Sequence, residues 1–149
     1  MSSNDLLVER VSEATEEIVE AMARLVPQLS SSAPAPDLAA VEQIATDPSN
    51  SLLVARSSPR GPIVGSLTLV TYRVPTGLHA VIEDVVVEDA ARGRGVGAAL
   101  VEKAVWLART RGARHVSLTS RPSREAANRL YERAGFVKRE TNVYRLDLS

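Results

Sequence analysis

Residues 84–100, DVVVEDAARGRGVGAAL, constrain the fold more than any other stretch of the chain. The β-branched run Val85–Val87 suits a pleated, half-buried strand. Three glycines follow, at 93, 95 and 97, with Arg92 and Arg94 set between and before them. The chain then reads as a helix from about Gly95 to Thr110. Leu100, Val101, Ala104, Val105, Leu107 and Ala108 share one side of that helix, and Glu102, Trp106 and Arg109 the other. A strand that enters a helix through glycines offers backbone N–H groups and a positive helix end to an anion, above all a phosphate or pyrophosphate.

The rest of the chain supplies a sheet for this unit. LLVERV (6–11) reads as a first strand, with Ser12 capping a helix that runs to about Pro27. SSSAPAP (30–36) is a loop, and DLAAVEQIA (37–45) is a second helix that stops before TDPSN. SLLVAR (51–56), IVGSLTLVTYR (63–73) and LHAVIEDVVVE (78–88) read as consecutive strands joined by turns. ARHVSLTS (113–120) is the next strand and SREAANRLYERA (123–134) the last helix, stopped by Gly135. FVKR (136–139) and VYRLDL (143–148) close the chain as short strands. We expect one domain over 1–149, with a mixed, mostly antiparallel α/β sheet and helices on both faces.

Charge is divided unevenly between the halves. Through Ala91 there are five Arg/Lys and thirteen Asp/Glu, and from Arg92 to Arg139 twelve Arg/Lys and three Glu. An anionic ligand in the basic half is one reading, and solvated helix faces are the other. Nucleic acid is not expected, because one Trp, three Tyr and one Phe leave little for base stacking. The chain has no cysteine, which removes thiolate nucleophiles and disulfides and suits a cytoplasmic setting. With His79 and His115 the only histidines, no metal site is expected. MSSNDLLVER lacks the pattern of an export signal, and no apolar run suits a membrane span.

Several readings of the glycine loop compete. A P-loop fails for want of Lys-Ser or Lys-Thr. A dinucleotide fingerprint is met only in its looser form, with Ala98 at the last position, and it falls mid-chain with no acidic residue at the usual distance. The pyrophosphate of coenzyme A is a third reading. Glycines that simply admit tight helix–sheet packing are a fourth. A second constellation lies in the last helix. Arg124, Asn128 and Tyr131 run along the boundary of a stripe formed by Ala126, Ala127, Leu130 and Ala134, so Tyr131 can bury its ring and present its hydroxyl.

Together, Arg92-Gly93-Arg94-Gly95-Val96-Gly97 and Leu130-Tyr131-Glu132-Arg133-Ala134-Gly135-Phe136 resemble the two signatures of the GNAT superfamily of acyl-CoA-dependent N-acyltransferases. The local sequence is similar to the branch that acetylates amino sugars, glucosamine 6-phosphate included. The resemblance implies that acetyl-CoA is the co-substrate and an amine the acceptor. Backbone groups of Val85, Val86 and Val87 would hold the pantetheine arm, and amides of Arg92, Gly93, Arg94, Gly95, Val96, Gly97 and Ala98 the pyrophosphate. Arg124 and Asn128 would lie along the coenzyme, and Tyr131 would protonate the leaving thiolate. Trp106, opposite the buried face of its helix, would be covered either by a loop or by a second subunit, and the resemblance, to a family whose members are often dimers, makes a homodimer the expectation.

Acyl transfer further needs a base for the ammonium. Glu83 and Asp84 interrupt an apolar strand, where neighbours face opposite sides unless a bulge intervenes. Glu83 is expected as base or water-orienting group and Asp84 as an amine contact, with His79 a more distant candidate. A salt bridge from one of the pair to an arginine is the structural alternative. Two acceptor classes stay open: the acidic N-terminal half would suit a cationic amine such as an aminoglycoside, a polyamine or a lysine side chain, whereas a sugar phosphate would need arginines, of which Arg73 and Arg121 are the candidates. Two rival functions are a coenzyme A-binding module without catalysis and an ATP-binding protein.

Overall fold

The computed structural model describes residues 5–149. Residues 1–4, part of the stretch read as lacking an export signal, lie outside the described residues. The chain forms two compact units, one ending at Thr119 and one spanning Ser120–Ser149.

The first unit is a five-stranded sheet of β1 (Leu7–Arg10), β2 (Asn50–Arg56), β3 (Ile63–Val74), β4 (Gly77–Val87) and β5 (Val116–Ser117), in that spatial order. The first four strands are antiparallel neighbours, and β4 and β5 pair in parallel. The connection from β4 to β5 is α3 (Val96–Thr110). This is the mixed, mostly antiparallel sheet expected from the sequence.

α1 (Glu16–Leu29) and α2 (Leu38–Thr46) cover one face. Ile18, Ala21, Met22 and Leu25 of α1 and Val41 and Ala45 of α2 share a core with Leu52, Val54 and Val86. Val96, Leu100, Val101, Ala104 and Ala108 are the buried positions of α3. Val96 and Leu100 close on Gly65 of β3, so α3 takes the opposite face. Val105 and Leu107, expected on the buried side of α3, are half-buried.

The ends of α1, the extent of the fifth strand and the closing strands differ from expectation. α1 is capped by Thr15 rather than Ser12, its Oγ1 accepting from Ile18 N at 3.3 Å. The backbone leaving Ser12 is held off the helix, with Ala14 N donating to Glu42 at 2.9 Å. α1 also runs past Pro27 by two residues. The strand expected over 113–120 is ordered as a ladder only at Val116–Ser117. FVKR and VYRLDL belong to no strand among the described residues. Alternation shows that a segment fits a pleated surface, but a strand also needs a partner, which alternation does not supply.

The second unit contains α4 (Glu125–Arg133), with Ala134 as C-cap and Gly135 at φ +101° terminating it. Ala126 and Ala134, expected in its buried stripe, are exposed. Tyr131 is instead its one buried residue, and Ala127, Asn128 and Leu130 are half-buried.

Candidate active site

The glycine loop is a row of free backbone donors. Gly93 and Gly95 sit at φ +81° and +80°, a conformation that side chains disfavour, and Gly95 is the N-cap of α3. The first internal bond of the helix is Ala99 N to Gly95 O at 3.0 Å. Upstream, Arg92 N reaches only Asp89 O at 3.3 Å. Among the described residues, the amides from Gly93 through Ala98 therefore donate to no protein acceptor. A helix start alone leaves about four such donors. The left-handed glycines add to that number and leave open space, since a methyl on Gly93 would meet nothing within 4 Å. Val96 contributes only its amide, because its side chain is buried.

Two side chains from α1 fix where this loop begins. Arg24 pairs with Glu88 at 3.1 Å, and Gln28 Oε1 accepts from Asp89 N at 2.9 Å. Asp89 in turn pairs with Arg92 at 3.0 Å on the surface. Arg92 is thus partly engaged, whereas Arg94 has no ion pair among the described residues.

Upstream of the loop, β4 presents a free edge. Its ladder with β5 contains only Ala80↔Val116 and Val81↔Ser117. From Ile82 to Val87, the stretch that includes Val85, Val86 and Val87, the edge away from β3 has no strand partner among the described residues.

A bulge lies in that same stretch. Thr68 pairs with Glu83 and Ser66 with Val86, so β4 spends one more residue than β3 between the two pairs. Asp84 absorbs the irregularity at φ +51°, and no other non-glycine described here has a positive φ. Asp tolerates this region better than most residues. The extra residue brings Glu83 and Val86, three apart in sequence, to the same face of the sheet. Glu83 lies across from Thr68, which lies across from Leu52. It therefore stands on the α1–α2 side, beyond the core that covers Leu52 and Val86. Glu83 and Asp84 are both exposed, and neither makes a salt bridge among the described residues. The ion-pair alternative for these carboxylates finds no support.

α4 holds the other expected side chains. Tyr131 is 7 % exposed and packs edge-on against Phe136, ring centroids 6.1 Å apart. Burial pushes its phenol above the ordinary tyrosine range, while the charge of Arg124 pulls the other way. Asn128 Nδ2 donates to Arg121 O at 3.0 Å and ties down the turn before the helix. Its Oδ1 accepts nothing from the protein among the described residues. Arg124 is the exposed N-cap.

The sequence matches the Acetyltransferase (GNAT) family over residues 16–136. The chain belongs to the GNAT family. It is 40 % identical over 93 residues to glucosamine 6-phosphate N-acetyltransferase of Trypanosoma brucei brucei, a stretch covering 60 % of each protein. The chain thus spans less than two thirds of that relative's length. Among solved structures, an acetyltransferase of Trypanosoma brucei is 29 % identical, with a TM-score of 0.77 over 97 % of this chain and 100 % of the other. An aminoglycoside acetyltransferase from an uncultured soil sample, solved with sisomicin, superposes with a TM-score of 0.83 at 18 % identity, covering 98 % of both chains. That last likeness concerns the fold alone.

Acetyl-CoA is the acyl donor of this family, and the residues of the first unit suit it. The free amides from Gly93 to Ala98 match a pyrophosphate, and the open edge of β4 matches an extended amide-bearing arm. Among the described residues no cluster of His, Asp and Glu fit for a metal is present, and no helix is long and apolar enough to cross a membrane.

Sequence reasoning missed three contributors. Gly65 lets the first turn of α3 approach the sheet, and its signal was a lone glycine inside a strand run. Arg24 and Gln28 anchor the start of the loop, and nothing local in α1 marks them for that task. His79, the distant base candidate, is engaged elsewhere. Its Nε2 lies 3.1 Å from Thr76 Oγ1, and its ring lies 4.2 Å from that of His115.

Proposed function

We propose that the protein transfers an acetyl group from acetyl-CoA to a primary amine, by direct attack of the amine on the thioester through a tetrahedral intermediate. The observation that carries this reading is the run of free amides beginning where the open edge of β4 ends. The absence of cysteine excludes an acyl-thiol enzyme. In this reading, the amides of Gly93 through Ala98 hold the pyrophosphate; that of Arg92, expected to join them, is turned to Asp89 O. The backbone of Val85, Val86 and Val87 holds the pantetheine arm and polarises the thioester carbonyl. Arg124 and Asn128, through its free Oδ1, lie along the coenzyme.

Glu83 takes the proton of the ammonium directly or through water, and Asp84 contacts the amine. Tyr131 gives its proton to the leaving thiolate; a phenol held above its ordinary range keeps that proton at neutral pH. The two units work as one domain, in a cytoplasmic homodimer. The acceptor class to test first is an amino sugar, given the name of the 40 % identical relative.

Thermal unfolding with acetyl-CoA, CoA, ATP and NAD in parallel tests the donor site. A ligand at about 100 times its Kd adds roughly 2.7 kcal/mol, which raises the midpoint by several degrees in a chain of this size. A rise with acetyl-CoA and CoA, and none with ATP or NAD, is expected. No rise with acetyl-CoA at saturation overturns the reading. Release of free thiol on adding glucosamine 6-phosphate or an aminoglycoside then separates an enzyme from a binding module.

A further inference from the structure

The strand that presents Glu83 presents a second polar group on the same face. Between β3 and β4, Thr68 pairs with Glu83, Val70 with Val81 and Tyr72 with His79. Glu83, Val81 and His79 therefore point the same way, with Glu83 and His79 about 13 Å apart along the strand. Arg73 lies across from Leu78, one residue out of that alternation, and so belongs to the opposite face. It is not placed to meet an acceptor at Glu83.

His79 is the centre of a basic cluster held by the turn between β3 and β4. The ring of His115 lies 4.2 Å from its ring, and Tyr72 of β3 meets it edge-on at 5.7 Å. Thr76 Oγ1 lies 3.1 Å from His79 Nε2, and the carbonyl of Thr76 accepts from Arg114 Nη1 at 3.3 Å. The backbone fixes both contributors from the approach to β5. Arg114 N donates to Leu78 O at 2.9 Å, and Ala80 N donates to His115 O at 3.1 Å. Gly77 admits the arginine, because a methyl there would stand 2.7 Å from Arg114 Cδ.

Three groups able to carry positive charge thus meet with no carboxylate among them. Among the described residues of the first unit, none of Arg114, His79 and His115 makes an ion pair. His79 is held below the ordinary histidine range, by desolvation first and then by the charges of His115 and Arg114. An anion bound among the three relieves that repulsion. Donors remain for it: Arg114 gives one N–H to Thr76, and the ring nitrogens of His115 have no partner among the described residues of the first unit. An arginine fork and two imidazoles match the terminal oxygens of a phosphate monoester.

We propose that His79, His115 and Arg114 form an anion subsite that takes a phosphate monoester carried by the acceptor, while Glu83 meets the acceptor's amine. Val81, between them on the same face, underlies the body that joins the two groups. Once the reach of both side chains is taken off, the spacing along β4 suits one phosphorylated ring, and the cluster repels a polycationic amine. The part given to Glu83 rests on the acetyl-transfer reading; the anion subsite does not.

These are the only two histidines in the chain, so NMR follows both imidazoles without variants. In the full chain without acetyl-CoA, at constant ionic strength, inorganic phosphate should raise both titration midpoints and saturate. Chloride should leave them unchanged, and acetate should move them less. Midpoints that ignore phosphate, or follow acetate equally, overturn the phosphate subsite whatever the protein catalyses. With acetyl-CoA present, R114M and H115Q should each raise the KM for glucosamine 6-phosphate about tenfold relative to that for glucosamine, as loss of a hydrogen bond to a charged group does, with kcat nearly unchanged. A KM ratio equal to that of the wild type overturns the subsite as part of the acceptor site. If neither amine releases thiol while phosphate still moves the histidines, the acetyl-transfer reading and the part of Glu83 fall, and the anion subsite stands.

Discussion

A methyl group on Gly65 would stand 2.8 Å from Cγ1 of Val96, in the first turn of α3. It would also stand 3.1 Å from Leu100 Cδ1 and 3.2 Å from the carbonyl of Val86. The side chains can give way, but the carbonyl of Val86 belongs to β4, the strand we propose to hold the pantetheine arm. Gly65 therefore sets how closely the glycine loop approaches β4. We expect Gly65→Ala to cost about 1–3 kcal/mol by overpacking, read as a fall in the urea midpoint. Acetyl-CoA should bind more weakly in the same variant, measured by calorimetry, because the amides of the loop move with Val96. Unchanged affinity in a folded Gly65→Ala would show that the loop is positioned independently of this contact.

The bulge at Asp84 makes a separate prediction. Its φ of +51° is tolerated by Asn and Gly but not by β-branched residues. Asp84→Asn should stay within about 0.5 kcal/mol of the wild type, as surface changes usually do. Asp84→Val should cost about 1–2 kcal/mol. If the two variants melt alike, the bulge does not depend on the conformation of this residue.

The two motifs were legible because each packs its chemistry into a short stretch. Gly93, Gly95 and the alanine-rich turn after them announce a strand–loop–helix unit whatever the rest of the chain does, and Leu130–Phe136 announces a capped helix with a buried tyrosine. The bulge could be named only as a condition, because consecutive carboxylates reveal the conflict with alternation and not its resolution. The extra residue between Ser66 and Thr68 on one side and Glu83 and Val86 on the other is a property of pairing, which one strand's sequence does not contain. The hold of Arg24 and Gln28 on Glu88 and Asp89 spans more than sixty residues; no local pattern could show it. The closing strands failed for a related reason: Tyr144, Leu146 and Leu148 alternate as a strand should, but the missing information was the partner.

Acid sensitivity should arise in part from the end of β2. Arg56 lies 2.6 Å from both Glu9 and Glu17. Its hydrogen bond and charge hold the Glu17 carboxyl below the ordinary glutamate range. A carboxylate depressed in the folded state stabilises the fold above its ordinary value of 4.5 and loses that contribution as pH falls through the lower folded value. Glu17 is largely exposed, so solvent screening keeps the contribution below about 1 kcal/mol. We expect Arg56→Met to flatten the decline in urea stability below pH 4.5. An identical acid limb in wild type and variant would remove Glu17 from the account.

Tyr131 and Glu83 should separate proton transfer from binding. The Tyr131 hydroxyl makes no hydrogen bond to the protein among the described residues, so Tyr131→Phe removes the proton donor with little change in melting temperature. Its kcat should fall by about 10²–10⁴, the range of general acid catalysis, with the Kd for acetyl-CoA nearly unchanged. Glu83→Gln should likewise lower turnover at pH 7 far more than it weakens acetyl-CoA binding, because Glu83 faces the α1–α2 side rather than the glycine loop. The two variants differ in their response to pH. Raising the pH supplies free amine without enzymic help and should partly rescue Glu83→Gln, whereas it supplies no proton to the thiolate and should leave Tyr131→Phe slow. Equal loss of binding and turnover in Glu83→Gln would make that carboxylate a binding residue, and rescue of Tyr131→Phe by alkali would deny the phenol its role as the acid.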